Sequence, residues 1–194
     1  MIEENERDLL RKDALAAAAR AMGLRPAPAA AGARPPVQPA AAAAPPASSA
    51  SSLEEIPGLF VTWLKDGRPR GRSGTLAADS PLHTLVEKHA VDALLHDPRV
   101  PPATAKELPR HTPQISVLST FEEISSSSDV VVGTHGVVAE KGKRWGIVLP
   151  QDAEGLDWDA DRLLGQACLR AGLPEESWKT AGAVRLRRFT AETF

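Results

Sequence analysis

An α+β fold, with a mainly antiparallel sheet and packed helices, is predicted by three features of the sequence. The first is Asp66-Gly67, a strong hairpin-turn signal that follows the β-branched and aromatic run Leu59-Phe60-Val61-Thr62-Trp63-Leu64. The second is a later hairpin pattern: Val137-Val138-Ala139, the turn Glu140-Lys141-Gly142-Lys143, then Trp145-Gly146-Ile147-Val148-Leu149, ended by Pro150. The third is that helical periodicities stand apart from these hairpins instead of alternating with single strands, which argues against a parallel sheet. At 194 residues the chain is long enough for one domain with a real core, or for two small subdomains sharing one core.

Taken in order, residues 5–23 read as a helix with Asn5 as N-cap, Asp8 in the first turn, Leu10, Ala14, Ala17 and Ala21 along one side, and Gly23 as the stop. That side is mostly alanine and buries little, so the helix either docks or stands free. Residues 25–52 are dominated by Ala, Pro and Ser, and prolines at 35, 36, 39, 45 and 46 bar a helix. The expected organisation is therefore an N-terminal helix over 1–24, a disordered linker over 25–52 and an α+β domain over 53–194. Ser80-Pro81 supplies an N-cap and a preset first helical position, after which Leu82, Val86, Ala90, Ala93 and Leu94 recur at helical spacing up to His96. Residues 115–118 and 130–132 read as strands separated by the polar run 125–128. A helix from about Ala160 to Ala171 turns Leu163, Leu164, Ala167, Cys168 and Ala171 inward and is closed by Gly172-Leu173-Pro174. Residues 184–189 read as the last strand.

Composition narrows function. A net charge of -2 and a pI of about 6.2 give no global field toward nucleic acid or anionic lipid, so any basic patch is local. A single cysteine excludes an internal disulfide and a thiolate metal cluster within one chain. The acidic start, Met1-Ile2-Glu3-Glu4-Asn5-Glu6, is unlike a signal peptide, and no apolar run reaches spanning length; a soluble, cytoplasmic protein is expected. No cofactor or metal is called for. His83, His89 and His96 share a helix, but their spacing does not place them to chelate one ion, and solvated or satisfied histidines are expected.

One stretch stands out as a site. Arg70-Gly71-Arg72-Ser73-Gly74 packs two guanidinium groups, a hydroxyl and two glycines into an apparent loop, a combination suited to a carboxylate or phosphate. Its alternative is a solvated hairpin end whose arginines pair with carboxylates. Ser73 is also a candidate nucleophile, although no elbow motif and no sequence-adjacent base accompany it. His135, flanked by Gly133 and Gly136, is suited to a general base or ligand, or to fixing its turn by a local hydrogen bond. Arg99, in Asp97-Pro98-Arg99, either joins the arginine loop or locks its own turn through Asp97. Trp63, Trp145, Trp158 and Trp178 are spread over four elements and read as core or subdomain-interface residues. Arg185-Leu186-Arg187-Arg188 is the one local basic stripe; it reads as a charged, solvated edge strand or as part of a nucleic-acid surface.

The order of motifs resembles the AmmeMemoRadiSam system protein A family, the domain named after the human AMME chromosomal-region protein. The resemblance runs through Gly58-Leu59-Phe60-Val61-Thr62, Arg70-Gly71-Arg72-Ser73-Gly74-Thr75, Asp97-Pro98-Arg99-Val100-Pro101-Pro102 and Glu107-Leu108. It continues through Ser116-Val117-Leu118-Ser119, Gly133-Thr134-His135-Gly136-Val137, Leu149-Pro150-Gln151 and Ala171-Gly172-Leu173-Pro174. It implies two packed subdomains around antiparallel sheet, and an association with a radical S-adenosylmethionine protein and a Memo-like protein, hence a role in modifying some substrate. The family's Leu-Arg-Gly-Cys-Ile-Gly stands here as Pro69-Arg70-Gly71-Arg72-Ser73-Gly74, so an arginine replaces the cysteine and a serine the isoleucine. Val100 replaces a usual phenylalanine. The resemblance thus implies a diverged member, read as a substrate- or partner-binding module for an anionic small molecule or peptide with Arg70, Gly71, Arg72, Ser73, Gly74, Arg99 and His135 as the binding set. The alternatives are an enzyme acting on an anionic substrate through Arg70, Arg99 and His135, and a nucleic-acid-binding module.

Overall fold

The computed structural model describes residues 2–24 and 58–194. The expected linker over 25–52 lies outside these described residues. Among them are three α-helices and eight strands in two four-stranded sheets, an α+β arrangement as expected. The strands are β1 (Leu59–Lys65), β2 (Arg68–Thr75), β3 (His111–Leu118), β4 (Glu122–Ile124), β5 (Gly136–Lys141), β6 (Arg144–Val148), β7 (Arg185–Phe189) and β8 (Ala191–Thr193). The sheet orders are β2-β1-β3-β8 and β4-β7-β5-β6. The chain divides into two compact units, one holding residues 2–24 and 60–115 and the other 58–59 and 116–194.

In the first unit, α1 (Glu4–Ala21) packs along α2 (Leu82–Val91). Leu10, Ala14, Ala17 and Ala18 are buried, and Arg20 pairs with Glu87 at 3.1 Å, so the helix docks. Alanines serve this contact because their small side chains let two helix backbones approach closely. The N-cap is Glu3, not Asn5, and no side chain caps it; Glu4 and Glu6 instead set negative charge against the positive end of the helix dipole. Ser80 likewise does not cap α2, since its hydroxyl donates to Asp79 at 3.2 Å and Pro81 takes the N-cap position. The helix expected to run to His96 changes character at Asp92, and Asp92–His96 is a π-helical turn. Trp63 is fully buried beneath α2 and donates from its indole nitrogen to the Ala90 carbonyl at 2.8 Å.

In the second unit, α3 (Ala160–Arg170) lies on one face of β5 and β6. Leu163, Leu164, Ala167 and Cys168 pack there with Val137, Ala139, Val148 and Leu186. Asp159 caps the helix through the Arg162 amide at 2.7 Å. At the other end, Leu173 N–H bonds to Cys168 and Gly172 N–H to Leu169 around a left-handed Gly172 (φ +70°), the paired closure that the Gly172-Leu173-Pro174 sequence signals.

Two differences from expectation lie between β3 and β5. Residues 130–132 are not a strand: Val130 is buried in the core, Val131 is exposed, and the chain turns toward β5. The strand before that turn is β4, whose Glu122-Glu123-Ile124 carries no β-branched run. It forms because it lies antiparallel to β7, with Glu122 opposite Arg188 and Glu123 opposite Arg187. Ion pairs line this register, Glu122 with Arg188 and Glu123 diagonally with Arg185, and add to a pairing for which β4 has little local preference.

Candidate functional site

The segment Arg70–Gly74 is the middle of the edge strand β2, not a loop. Asp66 (φ +51°) and Gly67 (φ +78°) form a tight two-residue turn that sends the chain straight back along β1. Successive side chains of a strand point to opposite faces, so the five residues do not converge on one ligand. Gly71 and Ser73 face α2 and the π-helical turn. A Cβ at Gly71 would lie 2.0 Å from the Ala93 carbonyl oxygen, so this glycine permits a backbone-to-backbone approach. Ser73 Oγ lies 2.9 Å from Nδ1 of His89, a buried residue of α2. Arg72 points the other way, and its Nε donates to Thr62 Oγ1 at 2.9 Å.

An edge strand leaves every second N–H and C=O unpaired. At Arg72 both are covered by the segment after the π-helical turn. Asp97 Oδ2 accepts from the Arg72 N–H at 2.8 Å, and Arg99 Nη2 donates to the Arg72 carbonyl at 3.3 Å. The carboxylate and guanidinium that cap the strand also hold one another, Nε to Oδ1 at 2.9 Å and Nη2 to Oδ2 at 2.7 Å. A further bond runs from the Arg99 N–H to Asp97 Oδ1 at 3.0 Å. The Arg99 guanidinium, with the Arg72 and Arg99 amides, holds the Asp97 carboxyl down at about 2, although burial opposes this. Arg70 Nη2 donates to the Pro101 carbonyl at 2.6 Å, while its Nη1 is buried without a hydrogen-bond partner among the described residues. The two sequence segments that stand out, Arg70–Gly74 and Asp97–Pro102, are therefore one structure.

His135 belongs to the other unit. Its Nδ1 accepts from the Val131 N–H at 3.0 Å, and its backbone N–H donates to the Val131 carbonyl at 2.8 Å, so the residue fixes the turn before β5. The basic stripe on β7 is matched residue by residue. Arg185 pairs with Glu123, Arg187 with Glu140, and Arg188 with Glu122 at 2.7 Å. Arg187 also lies over the Phe121 ring, 4.6 Å from its centroid. Trp63 is core, but Trp145 is 45% exposed. Cys168 is buried, and burial pushes its thiol up. Among the described residues no three His, Cys, Asp or Glu side chains are grouped to hold a metal ion, and no helix is long and apolar enough to cross a membrane.

His89 is the functional candidate that sequence reasoning missed. It stands beside Ser73 in space while lying a whole element away in sequence. Burial pushes its pKa down, with Lys88 adding to the effect, and its Nε2 has no hydrogen-bond partner among the described residues.

These features define an α+β domain whose second strand is clamped at its edge by an Asp-Pro-Arg segment. The AMMECR1 family matches residues 33–194, and the chain belongs to that family. It is 37% identical over 131 residues to a protein of Methanococcoides burtonii, covering 65% of this chain and 66% of that one. It is 36% identical over 152 residues to a protein of Thermococcus gammatolerans, covering 73% and 74%. The crystal structure of PH0010 from Pyrococcus horikoshii, described as an uncharacterized protein, superposes with a TM-score of 0.80 at 26% identity, covering 99% of this chain and 92% of that one.

Proposed function

We propose that this chain is a binding module that captures an anionic group of a substrate or partner protein through Arg70, Arg72 and Arg99. The observation that carries the reading is the geometry of Arg99. Its guanidinium is oriented by a two-point grip on Asp97, whose side chain is 1% exposed, while the arginine side chain itself remains 64% exposed. A planar, pre-oriented cation of this kind loses little entropy on meeting a carboxylate or phosphate. Arg70 and Arg72 add two more cations along the same stretch of strand. The segment supplies no thiol: Arg72 stands where the resembling family has cysteine, and Cys168 is buried. That supports binding over thiol chemistry. The partner this reading implies is a component of a radical SAM and Memo-like modification system, in which the module would present or hold the anionic substrate.

The test is capture of recombinant radical SAM and Memo-like proteins from the same source by immobilised full-length chain. Arg99→Gln is expected to weaken capture at least tenfold while the variant, although several degrees less stable because the buried Asp97 carboxylate loses its partner, keeps the wild-type circular-dichroism spectrum at the assay temperature. Undiminished capture by that variant, or no capture of either protein, would contradict the reading.

A further inference from the structure

Ser73, one of the expected binding set, and His89 lie on the opposite side of β2 from Arg72, away from the three arginines proposed to hold the anion. We infer that Ser73 and His89 form a nucleophile–base pair that acts on an activated acyl compound, an ester or thioester. Three observations support it. The Ser73 hydroxyl and His89 Nδ1 are 2.9 Å apart, within reach for proton transfer, and Ser73 is only part-buried while His89 is buried. Burial pushes the pKa of the imidazole down, which favours the unprotonated form that a proton acceptor requires. The strand is also held rigidly at this point, since Gly71 seats it against the Ala93 carbonyl and Asp97 and Arg99 fix both backbone groups of Arg72. The alternation that turns the Arg72 N–H outward turns the Gly74 N–H outward as well. An amide immediately after the nucleophile is a suitable donor to a developing oxyanion.

The chemistry requires the neutral tautomer with its hydrogen on Nε2, so that Nδ1 accepts from Ser73. Oγ then bonds to the acyl carbon as its proton passes to Nδ1, and the carbonyl electron pair moves to oxygen. Collapse expels the alkoxide or thiolate, which takes the proton from His89. Water repeats the sequence on the acyl-serine, releasing the carboxylic acid and restoring Ser73. The opposite tautomer, donating from Nδ1, would make Ser73 a mere acceptor for a buried ring.

A fluorophosphonate probe, located by peptide mass spectrometry on the full-length chain, tests this. Label on Ser73 that falls at least tenfold in His89→Asn, which keeps an acceptor near Oγ but has no basicity, is the expected result. No label on Ser73, or equal label in wild type and His89→Asn, would overturn the inference. If His89→Asn loses the wild-type melt, Ser73→Cys decides, with Ser73→Ala reporting the background from buried Cys168. Alkylation of the Ser73→Cys variant at its new thiol by iodoacetamide at pH 7, at least tenfold faster than free cysteine, supports an activated position; a rate equal to or below free cysteine overturns it.

Discussion

Replacing Asp97 with asparagine removes one negative charge from the clamp and leaves its shape intact. The carboxyl sits at about 2 in the folded chain against an ordinary 3.8. At about 1.36 kcal/mol per pH unit, that difference is worth about 2 kcal/mol of stability at neutral pH. Because the Arg99 side chain is 64% exposed, solvent screens part of the interaction, and about 1–2 kcal/mol is the expected loss. The loss corresponds to about 2–8 °C in melting temperature for a chain of this size. A depressed carboxyl stabilises the fold above its unfolded value and ceases to do so as pH falls through its folded value. Urea unfolding followed by circular dichroism should therefore give a wild-type advantage that is full above about pH 4 and shrinks toward zero near pH 2. An advantage constant over that range, or no difference at pH 7, would refute the charge-based account of the clamp.

Gly71→Ala is expected to cost about 3 kcal/mol or more in urea unfolding, because its Cβ meets the Ala93 carbonyl at 2.0 Å and neither backbone can rotate away; a neutral substitution would mean that β2 does not seat on the π-helical turn. Leu10→Ala is expected to cost about 2–4 kcal/mol in the same assay, since Leu10 of α1 is buried, whereas a free-standing helix would register almost nothing. His89, its pKa lowered by burial, contributes stability that is present above its unfolded value of 6.5 and is lost as pH falls through its folded value; the stability measured between pH 7 and 5 should fall less steeply in His89→Asn than in wild type.

The hairpins and the three helices are legible in the sequence because each rests on local signals: Asp66-Gly67, Gly142, the Ala and Leu periodicities and Gly172. What escapes depends on partners distant in sequence. Glu122-Glu123 has no strand signal of its own and becomes β4 only against the arginines of β7, and those arginines read as a bare basic stripe until Glu122, Glu123 and Glu140 are seen opposite them. The prominence of Arg70–Gly74 is legible, but its conformation is not. Two glycines close together suggest a turn, whereas Gly71 serves close approach of two backbones, a need set by Ala93 on another element. The spacing of His89 from His83 and His96 tests chelation and says nothing of Ser73 across the strand.

The proposed anion site is Arg70 and Arg72 of β2 together with Arg99 of the segment that covers its edge. Its most direct test is to follow the arginine Nε–H resonances of the full-length chain by NMR during titration with inorganic phosphate and with an acidic peptide at low ionic strength. Saturable shifts are expected at these three arginines for at least one of the two probes, reversed by added salt and abolished at Arg70 and Arg72 in Arg99→Gln. Shifts that stay absent, or that grow linearly and equally across all surface arginines with both probes, would contradict it.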